Sequence, residues 1–113
     1  MGLRSRNKGK RGEREAAAEI SRVLRTEARR GCQYNGSDES PDIITDIENL
    51  HFEVKRSEVF RLYDALDQAM RDANSRIPVV LHRSNRRPWV AIVRLDDLPQ
   101  LAVTVYLSLA ANN

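Results

Sequence analysis

Apolar positions along the chain switch between two periods, and the switches mark its elements. From Arg11 or Gly12 to Arg30 the spacing is helical, with Ala17, Ile20, Leu24 and Ala28 on one stripe and Gly31 as the stop. Residues 32–34 then read as a short strand, followed by a turn-rich loop, Asn35-Gly36-Ser37-Asp38-Glu39-Ser40, leading into Pro41. A second short strand opens at Asp42 and is joined by a turn, from Asp46 to Asn49, to a third strand running from Leu50 to Arg56. Strict alternation in that third strand puts Leu50, Phe52 and Val54 on one face and His51, Glu53 and Lys55 on the other.

Residues 61–74 return to the helical period, with Leu62, Leu66, Ala69, Met70 and Ala73 as the core stripe. Gln68 lies off that stripe with Arg61, Ala65 and Asp72, on a flank that borders the sheet edge. Residues 77–81 and 89–93 are β-branched apolar runs bracketing His82-Arg83-Ser84-Asn85-Arg86-Arg87-Pro88, the pattern of a β-hairpin. Near-continuous apolarity in these runs predicts strands covered on both faces, and therefore helices on each side of the sheet. Asp96 or Asp97 can cap a last helix that takes Pro99 in its first turn. Beyond Leu101 the alternation of Val103, Val105, Leu107 and Leu109 suits a strand, whereas Leu98, Leu101, Ala102 and Val105 suit a helix; the helix is preferred.

This order predicts an α/β fold, one domain with a central mixed five-stranded sheet flanked by helices. With 113 residues and 41% hydrophobic content there is room for a single core and no second domain. Residues 1–10 carry no apolar period and are expected to form a flexible basic arm, with the domain spanning 11–113. The single cysteine, Cys32, excludes an internal disulfide and suits a reducing compartment. No apolar run is long enough to span a membrane, and no apolar segment follows the basic N-terminus, so a cytoplasmic protein without a membrane partner is expected.

Charge is segregated along the chain. Residues 1–30 hold ten Lys/Arg against four Glu, residues 31–54 hold six acids and no Lys/Arg, and residues 55–113 hold nine bases against six acids. An acidic centre between basic arms is the layout of a metal-dependent enzyme acting on a polyanion such as DNA. Antiparallel pairing of the second and third strands would bring the Asp42 carboxylate beside Glu53, and two convergent carboxylates make a hard-oxygen site for Mg²⁺, with Mn²⁺ as a substitute. Lys55 lies about 6.5 Å along the same strand face from Glu53, where it can position a water or neutralise developing charge. Arg4, Arg6, Lys8, Lys10 and Arg11 are candidate phosphate contacts from the arm, and Arg83, Arg86 and Arg87 from the hairpin tip.

Pro41-Asp42, ten residues, then Glu53-Val54-Lys55 resembles the PD-(D/E)xK nuclease superfamily. With its flanks, the pattern is closer to the small Holliday junction resolvases of archaeal and phage type. That resemblance implies a restriction-endonuclease-like fold and a homodimeric, Mg²⁺-dependent endonuclease that cuts four-way or otherwise branched DNA. It implies Asp42 and Glu53 as metal ligands and Lys55 as the residue orienting the attacking water. It also implies Glu13 as a third acid, because those resolvases carry such a glutamate where the first helix opens, here Lys10-Arg11-Gly12-Glu13-Arg14-Glu15. Arg14, Lys10 and Arg11 would then border the scissile region. The family's phosphate-positioning serine falls on Ser37, with Ser40 as its rival, and a glutamine often found near the metal falls on Gln68. The competing functions are a general or nicking DNA nuclease and a non-catalytic DNA-binding module on the same fold, with a protein-binding adaptor a third.

Overall fold

A computed structural model describes the backbone of residues 3–31 and 41–112, with side chains from Gly9 onward. In chain order the elements are α1 (Leu3–Leu24), β1 (Ala28–Arg30), β2 (Ile43–Thr45), β3 (Leu50–Arg56), α2 (Leu62–Ala73), β4 (Ile77–Arg83), β5 (Val90–Ile92), a 3-10 turn (Leu95–Asp97) and α3 (Leu98–Ala111). The strands form one mixed five-stranded sheet in the order β1-β2-β3-β4-β5. All neighbours are antiparallel except β3 and β4, which run parallel and are joined through α2.

The two faces of β3 meet different partners. Leu50 and Phe52 join Ala16 and Ala17 of α1 with Ile43, Ile77, Val79 and Leu81 in the larger core. On the other face Ala65, Leu66 and Ala69 of α2 close over Val80 of β4, which stands beside Glu53 in the parallel register. His51 and Glu53, which alternation in β3 places on that face, are covered by α2 and are buried polar groups. Small residues set how closely α1 approaches: a Cβ on Gly12 would sit 2.7 Å from the Cβ of Arg56 on β3.

The sequence pattern and the structure differ in several places. The first helix stops at Leu24 instead of Arg30, because Arg25 adopts a left-handed φ of 52° and the chain turns to pair Ala28–Arg30 with β2. Ala28 still packs on the core its helical spacing suggested, but from a strand. The predicted strand at residues 32–34 lies outside the described residues. Gly31 does not stop a helix; its N–H donates to the Asp42 carbonyl at 2.8 Å, and a Cβ there would lie 2.2 Å from the Pro41 carbonyl oxygen.

The basic segment, expected to be a flexible arm, has helical backbone from Leu3, continuous with α1. No proline interrupts residues 3–24, and Arg, Lys, Glu and Ala there are good helix formers that need no apolar period. On α2 the buried face is turned toward Ala65, while Leu62 and Met70 are exposed. That rotation swings the flank bearing Gln68 and Asp72 toward β3. The last segment is the helix preferred above, yet α3 buries none of its residues: Tyr106 is 69% and Leu107 60% exposed, and Leu101 makes the partial contact with the core. Among the described residues, no helix is long and apolar enough to cross a membrane.

Candidate metal centre

The site forms where β2 leaves β3. The Asp42 N–H donates to the Phe52 carbonyl at 2.8 Å, and the Val54 N–H, the next inward-pointing donor of β3, is taken by Asp42 Oδ2 at 2.8 Å. A side-chain carboxylate thus replaces a ladder acceptor, and it is fixed beside β3 by the backbone itself. Burial pushes the Asp42 carboxyl up to about 7, and the negative charges of Glu53 and Glu13 add to this against the opposing Val54 N–H. Asp42 also shares a hydrogen bond with Glu53, which holds the protonated form.

The other predicted residues converge from three elements. Lys55 follows Glu53 on the α2 side of β3, and its Nζ donates to Gln68 Oε1 at 2.9 Å. Gln68 is thereby a direct partner of Lys55, as its flank position allowed. Glu13 comes from the first described turns of α1 side chains and accepts from Arg30 Nε at 3.0 Å. This pair, on α1 and β1, is close enough to Asp42 to raise its pKa, so Glu13 belongs to the same electrostatic site. Ser37 and Ser40 lie outside the described residues.

Two residues join that sequence reasoning had not named as ligands. His51 is fully buried, and its Nε2 lies 2.9 Å from Glu53 Oε1. Asp72 of α2 completes a group with them: one ligand atom from each of His51, Glu53 and Asp72 lies within 4.8 Å of the others. The signal was present in outline, since His51 shares the Glu53 face and Asp72 is one helical turn beyond Gln68. What the sequence lacked was the rotation of α2.

A divalent cation fits these residues. Two carboxylates at hydrogen-bonding distance with a third nearby are hard to ionise together without a compensating positive charge, and burial together with this crowding raises the Asp42 pKa. The oxygen donors of Asp42 and Glu53 suit a hard ion.

The candidate phosphate contacts divide into two kinds. Lys10, Arg11 and Arg14 are exposed on α1, and Arg86 and Arg87 are exposed in the β4–β5 turn, where Arg86 takes a positive φ of 63°. Arg83 is engaged inside the chain: its guanidinium pairs with Glu15 of α1 and donates to the Arg87 carbonyl at 2.7 Å. Glu15 also accepts from Trp89 Nε1 at 3.0 Å, and although burial opposes it, these donors hold its carboxyl below the usual carboxylate range. Arg83 is thus a tie between hairpin and helix. The backbone at Arg4, Arg6 and Lys8 belongs to α1; their side chains lie outside the described residues. His82 is structural: its Nδ1–H donates to the Lys55 carbonyl at 2.8 Å while Phe60 stacks on its ring at 3.8 Å.

No protein-family model matches the chain, and no curated protein matches its sequence. Among solved structures it is similar to Hjc of Archaeoglobus fulgidus, a Holliday junction resolvase from an archaeal hyperthermophile, with 25% identity and a TM-score of 0.56. That likeness covers 76% of this chain and 72% of the other. The α/β fold with its mixed five-stranded sheet and flanking helices is the one seen in that resolvase.

Proposed function

We propose that this protein is a metal-dependent endonuclease that hydrolyses phosphodiesters in branched DNA, in the manner of a Holliday junction resolvase. The observation that carries the reading is Asp42 fixed beside β3 and sharing a hydrogen bond with Glu53, its carboxyl raised to about 7 by burial and then by its acidic neighbours, with Lys55 two residues along the same strand. The likeness to Hjc supports it.

In this reading Asp42 and Glu53 hold Mg²⁺, for which Mn²⁺ substitutes, and Glu13 supports the site from α1. A divalent ion bound there supplies polarisation of the phosphodiester and a more acidic water. Lys55 holds the attacking water in line, and Gln68 keeps the Lys55 ammonium aimed along the strand by accepting its hydrogen bond. Val54 N–H fixes the rotamer of Asp42, so this ligand is preorganised before any DNA arrives. Lys10, Arg11, Arg14, Arg86 and Arg87 neutralise backbone phosphates, with Arg4, Arg6 and Lys8 of α1 extending the track.

Paired cuts across a four-way junction need two sites related by a two-fold axis, so the functional unit is a homodimer. The exposed apolar residues of α3, with Leu98, Val103, Tyr106 and Leu107 facing out, support that assembly.

The test is cleavage of a labelled four-way junction beside linear duplex and single strand, with Mg²⁺ or EDTA, using Glu53→Ala as control. Metal-dependent paired cuts confined to the junction and absent in Glu53→Ala are expected. Equal cutting of all three DNAs would reduce the reading to a general nuclease. Tight junction binding without cleavage in Mg²⁺ or Mn²⁺ would leave a binding module.

A further inference from the structure

We infer a second cation position, on the α2 side of Glu53, built from a ring nitrogen of His51 and carboxylate oxygens of Glu53 and Asp72, and selective for a borderline transition ion such as Zn²⁺ or Mn²⁺ over Mg²⁺. The arrangement follows from two matched repeats. Four residues of a helix advance about 6 Å and two residues of a strand about 6.5 Å. With Gln68 seated on Lys55, Asp72 is therefore carried over the Glu53 end of β3, where His51 already lies on the same face.

Three properties of the group point to an ion. The ligand atoms of all three residues lie within 4.8 Å of one another, and His51 Nε2 is 2.9 Å from Glu53 Oε1. Ligands bound at about 2.1 Å around one ion stand about 3 Å apart at octahedral angles and about 3.4 Å apart at tetrahedral ones, so this pair needs only a small adjustment to share an ion. Second, His51 is wholly buried and its Nδ1 has no hydrogen-bond partner among the described residues, so no protein acceptor fixes the ring's tautomer and Nε2, the nitrogen that faces Glu53, can take the unprotonated form that binds an ion. Third, the donor set is one imidazole nitrogen and two carboxylates, a borderline combination that Zn²⁺ and Mn²⁺ accept and that strongly hydrated Mg²⁺ disfavours.

Glu53 is common to this position and to the pair it makes with Asp42. An ion on the His51 side therefore engages a carboxylate that the Asp42 side also needs, and occupancy of one position alters the other. The inference does not rest on the nuclease reading, because its test contains no DNA.

The experiment is calorimetric titration of the metal-stripped full chain with Zn²⁺ alone and with Mg²⁺ alone. A Cys32→Ser background removes the single thiol as a competing ligand. Asp72→Asn is the main variant, since Asp72 is only half-buried and the change is isosteric; His51→Gln is the second, with circular dichroism confirming its fold. One Zn²⁺ per chain is expected, bound at least 100-fold more tightly than Mg²⁺. Asp72→Asn is expected to weaken Zn²⁺ tenfold or more and to leave Mg²⁺ within twofold. An absent Zn²⁺ site, or an Asp72→Asn chain that binds Zn²⁺ like its parent, overturns the inference. A Co²⁺ titration adds a ligand readout: the visible absorption of the bound ion should change in His51→Gln, and an unchanged spectrum overturns the role of the histidine.

Discussion

Asp42→Asn should make the metal-free protein more stable at alkaline pH, although it removes a proposed metal ligand. The folded chain holds a proton on Asp42 up to about pH 7, whereas the unfolded chain releases it near the ordinary value of 3.8. Between those values the folded state binds more protons than the unfolded state. The stabilisation from this group is therefore complete below about pH 4 and is lost as the pH rises through about 7. At 1.36 kcal/mol per unit, the loss is on the order of 4 kcal/mol, most of it between pH 4.5 and 8. Asparagine never ionises, and its side-chain oxygen can still accept the Val54 N–H. Melting curves in EDTA are the assay. Wild type and Asp42→Asn should melt together near pH 4.5, with the variant about 10 °C higher at pH 8, using about 3 °C or more per kcal/mol for a domain of this size. Excess Mg²⁺ at pH 8 should raise the wild type and not the variant. A difference between the two proteins that does not grow from pH 4.5 to 8 would refute the argument that burial and acidic neighbours hold a proton on Asp42.

Other consequences are as direct. Gly12→Ala places a Cβ 2.7 Å from that of Arg56, so α1 must back away from β3; a loss of about 1–3 kcal/mol in urea unfolding is expected, with reduced cleavage because Glu13 moves too. Glu15→Gln removes the charged acceptor shared by Arg83 and Trp89, and should cost about 1 kcal/mol at pH 7 and progressively less as the pH falls through the lowered Glu15 pKa, where the stability present above the unfolded value of 4.5 is lost. Changing Lys10, Arg11 and Arg14 together to Ala should lower the slope of log K against log salt for duplex binding by up to about 2.7, and an unchanged slope would remove α1 from the DNA contact. Tyr106→Glu with Leu107→Glu should convert a dimer into a monomer by light scattering without loss of helical circular dichroism; an unaltered mass would exclude this face of α3 as the interface.

What could be read in advance depended on how strongly local pattern decides local structure. In β3 it decides which residues share a face: alternation alone separated Leu50 and Phe52 from His51 and Glu53, while the burial of the polar face depends on α2 packing over it. The hairpin of β4 and β5 and the extent of α2 were equally legible because turns and periods agree there. The end of α1 was not. Arg25 turns the chain without a glycine or proline to announce it, and Ala28 fits a helical stripe and a strand core alike. Site geometry shows the same division. Asp42 beside Glu53 follows from a short antiparallel connection. Asp72 beside His51 depends on the rotation of α2, which is set by how Ala65 and Ala69 let that helix settle on Val80.

One continuous stretch, β3 through α2 to β4, carries His51, Glu53, Lys55, Gln68 and Asp72, whereas Asp42 and Glu13 enter from elements that precede it. The β2–β3 hairpin, which pairs Ile43 with Phe52, closes a short loop and sets Asp42 beside β3 early, whereas Glu13 reaches the Asp42–Glu53 pair only when α1 packs on the sheet. Part of the acidic crowding around Asp42 therefore arises at the docking of α1. A cation bound there would recognise the completed chain and slow its opening, so that metal occupancy would report the closure of α1 over the sheet.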